Sequence, residues 1–255
     1  MEEARRMIGC SELTRAYGSK AVVDAISFDL PRGSVCAFLG PNGAGKSTTL
    51  KMLSGLLRPT SGTITVAGLQ VHDEKDSMDL KRRIGVLPEG LGLFDHLSVE
   101  EHLHLCGPIY GLSQVETRVR TDQLLRVLGL EEGRFTQADH CSHGMRKKTA
   151  LAMALLHNPE VLFLDEPFEG VEPVTAELIR ELLNRLAERG VTVFFTSHML
   201  DMAERLATHC ILIRSGKIVW NSRREELPST LSEMYFGLVE SRSLELMPWL
   251  GSPRS

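Results

Sequence analysis

Gly40-Pro41-Asn42-Gly43-Ala44-Gly45-Lys46-Ser47-Thr48 combines backbone freedom, a mobile cation and hydroxyls in one short run. Its order fits the pattern G-x-x-x-x-G-K-[ST], which cradles phosphates. Glycines let the chain curl so that successive N–H groups converge on anionic oxygens. A helix opening at Lys46 adds the positive end of its dipole. Lys46 then reaches the β- and γ-phosphates of a nucleoside triphosphate, and the Ser47 hydroxyl ligates Mg²⁺. The bland alternative, a plain glycine-rich turn, lacks the required context. Here an apolar strand at 35–39 precedes the loop, and Leu50, Leu53 and Leu57 recur at helical spacing after it.

A second constellation is Val161-Leu162-Phe163-Leu164-Asp165-Glu166-Pro167, an apolar run that ends in two acids. A strand buried on both faces is continuously apolar, and its carboxyl end is where α/β sheets bind ligands. Neighbouring strand residues point in opposite directions, so the two carboxylates can take separate tasks. Asp165 is assigned to Mg²⁺, through coordinated water, and Glu166 to the attacking water as general base. Acids also end strands merely by meeting solvent. The phosphate loop tips the balance to catalysis.

These groups need strands that deliver them to one edge. Residues 8–13 and 22–30 read as strands, and 62–66 alternates like one. Residues from about 76 to 157 change to helical patterns, one opening with the capping pair Ser98 and Glu101. Strand and helix then alternate: strands at 161–164 and 191–195, helices at 173–188 and 200–207, and short strands at 210–213 and 217–220. Such alternation implies a mainly parallel sheet covered on both faces. One further helix is expected at 231–239, and the Ser-, Pro- and Gly-rich last dozen residues are expected to be frayed.

The 255 residues are 42% hydrophobic and 24% charged, with net charge −4, as in ordinary globular proteins and without a basic footprint for nucleic acid. The basic runs Lys81-Arg82-Arg83 and Arg146-Lys147-Lys148 read as solvated faces. Five scattered cysteines suit a reducing cytosol. No signal peptide is evident, and no apolar run approaches the ~20 residues of a spanning helix.

The two constellations and their spacing resemble the nucleotide-binding subunit of ABC transporters, over roughly residues 8–220. The resemblance implies an α/β fold: a P-loop NTPase core of RecA type, an N-terminal antiparallel β subdomain and a helical subdomain bearing a signature motif. It implies an ATP-binding domain over 1–230, with the helical part at about 76–157, and a tail at 231–255. The cofactors are then ATP and Mg²⁺.

By this resemblance Tyr17 stacks on adenine, and His198 contacts the γ-phosphate and helps hold the water. Cys141-Ser142-His143-Gly144-Met145 stands where the family has Leu-Ser-Gly-Gly-Gln, keeping Ser142 and Gly144. Ser142, His143, Gly144 and Met145 would meet ATP held by an opposite subunit, a second copy or a homologue. Glu89 replaces the usual metal-ligating Gln, and Glu172 replaces an Asp. The first of these and the degenerate signature are similar to the ABC-2 type exporter branch. The implied partner is a separate transmembrane permease, with this chain on the cytoplasmic face of the membrane, acting in export. A soluble assembly ATPase and a barely hydrolysing nucleotide switch are the competing readings. His140, Cys141 and His143 match no standard zinc spacing.

Overall fold

The computed structural model describes residues 6–73 and 77–238. Strands β1 (Arg6–Tyr17) and β2 (Lys20–Pro31) form an antiparallel hairpin whose turn is Gly18-Ser19. Strand β3 (Val35–Leu39) leads to helix α1 (Lys46–Leu53), and β4 (Ser61–Val66) pairs antiparallel with β1. A two-residue strand, β5 (Leu69–Gln70), completes a sheet of order β2-β1-β4-β5.

Helix α2 (Ser77–Arg83) runs into β6 (Ile84–Leu87). The helical part follows: α3 (Val99–Ile109), α4 (Gln114–Val127) and α5 (His143–Leu155). Ser98 and Ser113 each cap a helix reciprocally with the glutamate three residues on, Glu101 and Glu116. The chain then alternates as expected through β7 (Val161–Asp165), α6 (Pro173–Glu188), β8 (Thr192–Ser197) and α7 (Leu200–Leu206). It closes with β9 (His209–Arg214), β10 (Lys217–Arg223) and α8 (Leu231–Leu238). The expected helix at 231–239 thus appears up to Leu238, and its last residue and the frayed end lie outside the described residues.

The second sheet has the order β10-β9-β3-β8-β7-β6. Every pairing in it is parallel except β10 with β9. Strand β6 is the one strand that the helical patterns of residues 76–157 did not announce, among the described residues. Its four residues are too short for a period to show, yet Ile84 and Leu87 are buried and pair with Val161 and Leu164.

Period-2 alternation sorts the core into two. Val35, Ala37 and Leu39 of β3 point into one cluster with the buried faces of α5, α6 and α7. Cys36 and Phe38 point into the other, with Leu50 and Leu53 of α1 and the inner face of the antiparallel sheet. Phe38 and Phe194 meet there at 5.2 Å between ring centroids. Strand β3 is therefore apolar at every position, and β7 and β8 carry polar side chains only at their ends, because neither face meets water.

Strand order decides where chemistry happens. The carboxyl ends of β3, β8, β7 and β6 lie side by side, with β8 between the phosphate-loop strand and the acidic strand. The loop after β6 is split in character: Leu91 is buried, Leu93 packs on the core, and Phe94 is 60% exposed. Buried His102 ties this loop down, its Nε2 accepting from the Phe94 amide at 2.9 Å while its Nδ1 lies 2.7 Å from the Ser98 carbonyl.

Candidate functional site

At the end of β3 the backbone turns sharply through Gly40 to Gly45. Gly45 caps α1 at φ +110, and a β-carbon there would lie 2.7 Å from the Val22 carbonyl oxygen. Only glycine fits that position without moving β2. The turn leaves a cleft of about 410 Å³ lined by Val22, Asn42, Gly43, Gly45, Lys46, Ser47, Thr48, Glu89, Glu166, Glu169 and His198. Gly40, Pro41 and Ala44 build the loop from behind; the Ala44 amide donates to the Pro41 carbonyl at 3.1 Å.

Lys46 is 7% exposed, and its ammonium donates to the Gly40 carbonyl at 2.8 Å and the Pro41 carbonyl at 3.4 Å. It also lies 3.7 Å from Glu166 Oε1. One residue on, the Ser47 hydroxyl donates to Asp165 Oδ1 at 3.0 Å. The Thr196 hydroxyl donates to the same oxygen at 2.6 Å and accepts the Glu166 amide at 3.0 Å. Asp165 is almost fully buried, and its second oxygen, Oδ2, has no hydrogen-bond partner. A buried, unpaired carboxylate oxygen is costly unless a cation completes it.

Glu166 sits at φ +47, an uncommon conformation for a side chain with a β-carbon. Its Oε2 accepts from the His198 amide at 3.2 Å and lies 3.0 Å from His198 Nδ1. The fold therefore brings Lys46, Ser47, Asp165, Glu166 and His198 into one cluster, with Glu89 on the cleft wall.

The remaining expected residues lie elsewhere. Tyr17 is half exposed at the end of β1, with the Arg15 guanidinium 4.6 Å over its ring. Val22, not Tyr17, lines the cleft. Ser142 caps α5 by accepting the Met145 amide at 3.2 Å. His143 lies against Gly170, where a β-carbon would be 2.9 Å from its Nε2. Gly144 is half-buried, and Met145 packs inward beside Gly133. A smaller cavity of about 220 Å³, lined by Glu89, His143, Lys147, Asp165, Glu166, Glu169 and Gly170, joins this end of α5 to the acids.

His140, Cys141 and His143 do not converge. His140 pairs with Asp139 at 3.3 Å, and the Cys141 thiol faces the Thr136 carbonyl at 3.8 Å. Glu172 is exposed and precedes α6 without capping it through its side chain.

Sequence reasoning missed Thr196 and Lys147. A hydroxyl two residues before His198, at the end of an apolar strand, was the available sign of the first. Lys147 was hidden in a basic run read as solvent-facing, yet it is 5% exposed.

Residues 23–169 match the ABC transporter family. The chain is 36% identical over 225 residues to the linearmycin resistance ATP-binding protein LnrL of Bacillus subtilis, covering 88% of this chain and 72% of that one. It is 37% identical over 223 residues to the bacitracin transport ATP-binding protein BcrA of Bacillus licheniformis, covering 87% and 70%. A solved structure described as the ATP-binding subunit of an ABC transporter superposes with a TM-score of 0.83 at 30% identity, over 91% of this chain and 99% of that one. A match over more than half the chain, joined to a phosphate loop that the fold locks to an acid pair, means that this chain belongs to the ABC transporter family as an ATP-binding, ATP-hydrolysing subunit.

Proposed function

We propose that this subunit hydrolyses MgATP in the cleft between Lys46 and Glu166, and that it drives a separate permease in export. The observation that carries the reading is the double tie between loop and acids, Ser47 to Asp165 at 3.0 Å and Lys46 to Glu166 at 3.7 Å. The free backbone N–H groups of the 40–48 loop and the Lys46 ammonium hold the triphosphate. Glu166 takes the proton of the attacking water, and His198 fixes the carboxylate that does so. The site suits Mg²⁺: its oxygens are hard donors, and Asp165 Oδ2 is buried without a partner. Ser47, Asp165 and Glu89 would hold the ion. When bound it neutralises charge on the β- and γ-phosphates.

Adenine stacks on Tyr17, whose ring is half exposed at the end of β1, outside the cleft that Val22 lines. Ser142, His143 and Gly144, with Met145 packed inward behind them, meet the nucleotide of a second ATP-binding subunit, a copy of this chain or a homologue. The exposed, Ser142-capped start of α5 supports this, since it is ready to receive an anion. Residues 1–230 form the motor and the segment from 231 a tail. Among the described residues no helix is long and apolar enough to cross a membrane. Membership of the ABC transporter family supports a separate permease, with the subunit on the cytoplasmic face. Export is supported by the relatives named for bacitracin transport and linearmycin resistance. A soluble assembly role finds no support among them.

The test is ATP hydrolysis by purified protein with and without Mg²⁺, beside Glu166→Gln and Lys46→Ala. Glu166→Gln should lower turnover by about 10³-fold while leaving ATP bound. Lys46→Ala should abolish binding. Undiminished turnover in Glu166→Gln would overturn the catalytic assignment. Co-purification with a polytopic membrane protein tests the transport assignment.

A further inference from the structure

The Lys147 ammonium lies under the hydrolytic acids. It donates to the carbonyl oxygen of Glu166 at 2.7 Å and to that of Glu169 at 2.7 Å. The lysine is 5% exposed, and burying an ammonium is tolerated only when its donors are satisfied. Burial pushes its pKa down, while the carboxylates of Glu169, Glu166 and Asp165 oppose that shift.

Its neighbours in the basic run serve the helical part instead. Arg146 donates to the Ala138 carbonyl at 2.9 Å and Lys148 to the Gly129 carbonyl at 3.3 Å. Lys147 alone of the three turns to the site.

Glu166 needs such a hold. Its backbone is in the left-handed region, which strains an L-residue and persists only where surroundings impose it. The amide of that residue is held by Thr196 and its carboxylate by His198. The carbonyl is held by Lys147 at 2.7 Å, beside the Glu169 amide of its own turn at 3.2 Å. Besides Lys46, the anchors from outside that turn thus come from β8, from the segment after β8, and from α5.

Helix α5 is also the helix whose first turn carries Ser142 to Met145. Lys147 stands just past that turn. Any shift of the start of α5 is therefore delivered to the peptide of the residue that orients water.

We propose that Lys147 is a positioning residue for ATP hydrolysis: it sets the Glu166 carboxylate through its backbone and ties that carboxylate to the signature end of α5. This deepens the hydrolytic reading above and rests on it.

The experiment compares kcat, KM and equilibrium ATP affinity in the wild type, Lys147→Met and the control Lys148→Met. Lys147→Met should lower kcat by about 10- to 100-fold, the usual effect of misplacing a catalytic group by an ångström. Its KM and ATP affinity should stay within about twofold of wild type, and so should every parameter of Lys148→Met. In a Glu166→Gln background Lys147→Met should lower the residual rate no further, because the group it positions is already disabled. Should Lys147→Met not fold, Lys147→Arg, whose planar fork does not reproduce the two carbonyl contacts of the ammonium, should lower kcat while leaving ATP affinity within about twofold of wild type. An unchanged kcat, or a parallel loss of kcat and affinity, would overturn the inference. A wild-type rate insensitive to Glu166→Gln would instead remove the reading beneath it.

Discussion

The Thr196 hydroxyl bridges both halves of the acid pair, donating to Asp165 Oδ1 at 2.6 Å and accepting the Glu166 amide at 3.0 Å. Register makes this possible, since Asp165 and Thr196 are direct partners in the parallel pairing of β7 with β8. The same carboxylate oxygen receives Ser47 from the phosphate loop. Three segments far apart in the chain are thereby locked at one atom.

Replacing Thr196 by Val keeps the shape and removes the bridge. The Glu166 amide and the Asp165 carboxylate then lose a partner in a buried setting, at a cost of about 1–3 kcal/mol. Thermal or denaturant unfolding should show that loss, and ATP turnover should fall because Glu166 is less firmly placed. Wild-type stability in Thr196→Val would contradict the bridge.

Gly45 and Gly43 offer a paired steric test. A β-carbon at Gly45 strikes the Val22 carbonyl at 2.7 Å, whereas at Gly43 nothing lies within 4 Å. Gly43→Ala therefore meets only its positive φ and should cost about 1 kcal/mol. Gly45→Ala should cost about 2–3 kcal/mol and displace the loop, abolishing ATP binding. Calorimetry of ATP binding with unfolding curves separates the two. Equal effects would mean that the loop moves freely away from β2.

His157 predicts a pH dependence of stability. Its ring stacks on Tyr110 at 3.8 Å, its Nε2 lies 2.8 Å from the Ile84 carbonyl, and its Nδ1 is buried with no partner. Burial holds its pKa below the ordinary value of 6.5. The folded protein thus resists a proton that the unfolded chain accepts. Its stability contribution is intact above pH ~6.5 and is lost as pH falls from there towards the folded pKa. Unfolding measured from pH 7.5 to 5 should show this loss, reduced in His157→Gln. An identical slope in that variant would assign the effect to other groups.

Much of this was legible in the residues themselves. The strand at 35–39, the helix at 173–188 and the Ser98–Glu101 cap follow from local patterning, and the structure places them at those positions. What stayed hidden was short or long-range. Strand β6 is too brief for periodicity, and Lys147 sits in a charged run that looks exposed by composition. The segment 90–97 offered several apolar residues, and only packing decided that Leu91 turns in while Phe94 stays out.

The chain by itself determined the chemistry: a glycine-curled loop with Lys46 and Ser47, and an apolar strand ending in Asp165 and Glu166, are local patterns whose meaning survives without a fold. The tertiary structure decided their geometry. Strand order inserts β8 between loop and acids, so Thr196 and His198 become their partners, and α5 is laid beneath them so that Lys147 reaches Glu166. Parallel pairing joins residues far apart in sequence, and no local pattern encodes which strand becomes which neighbour.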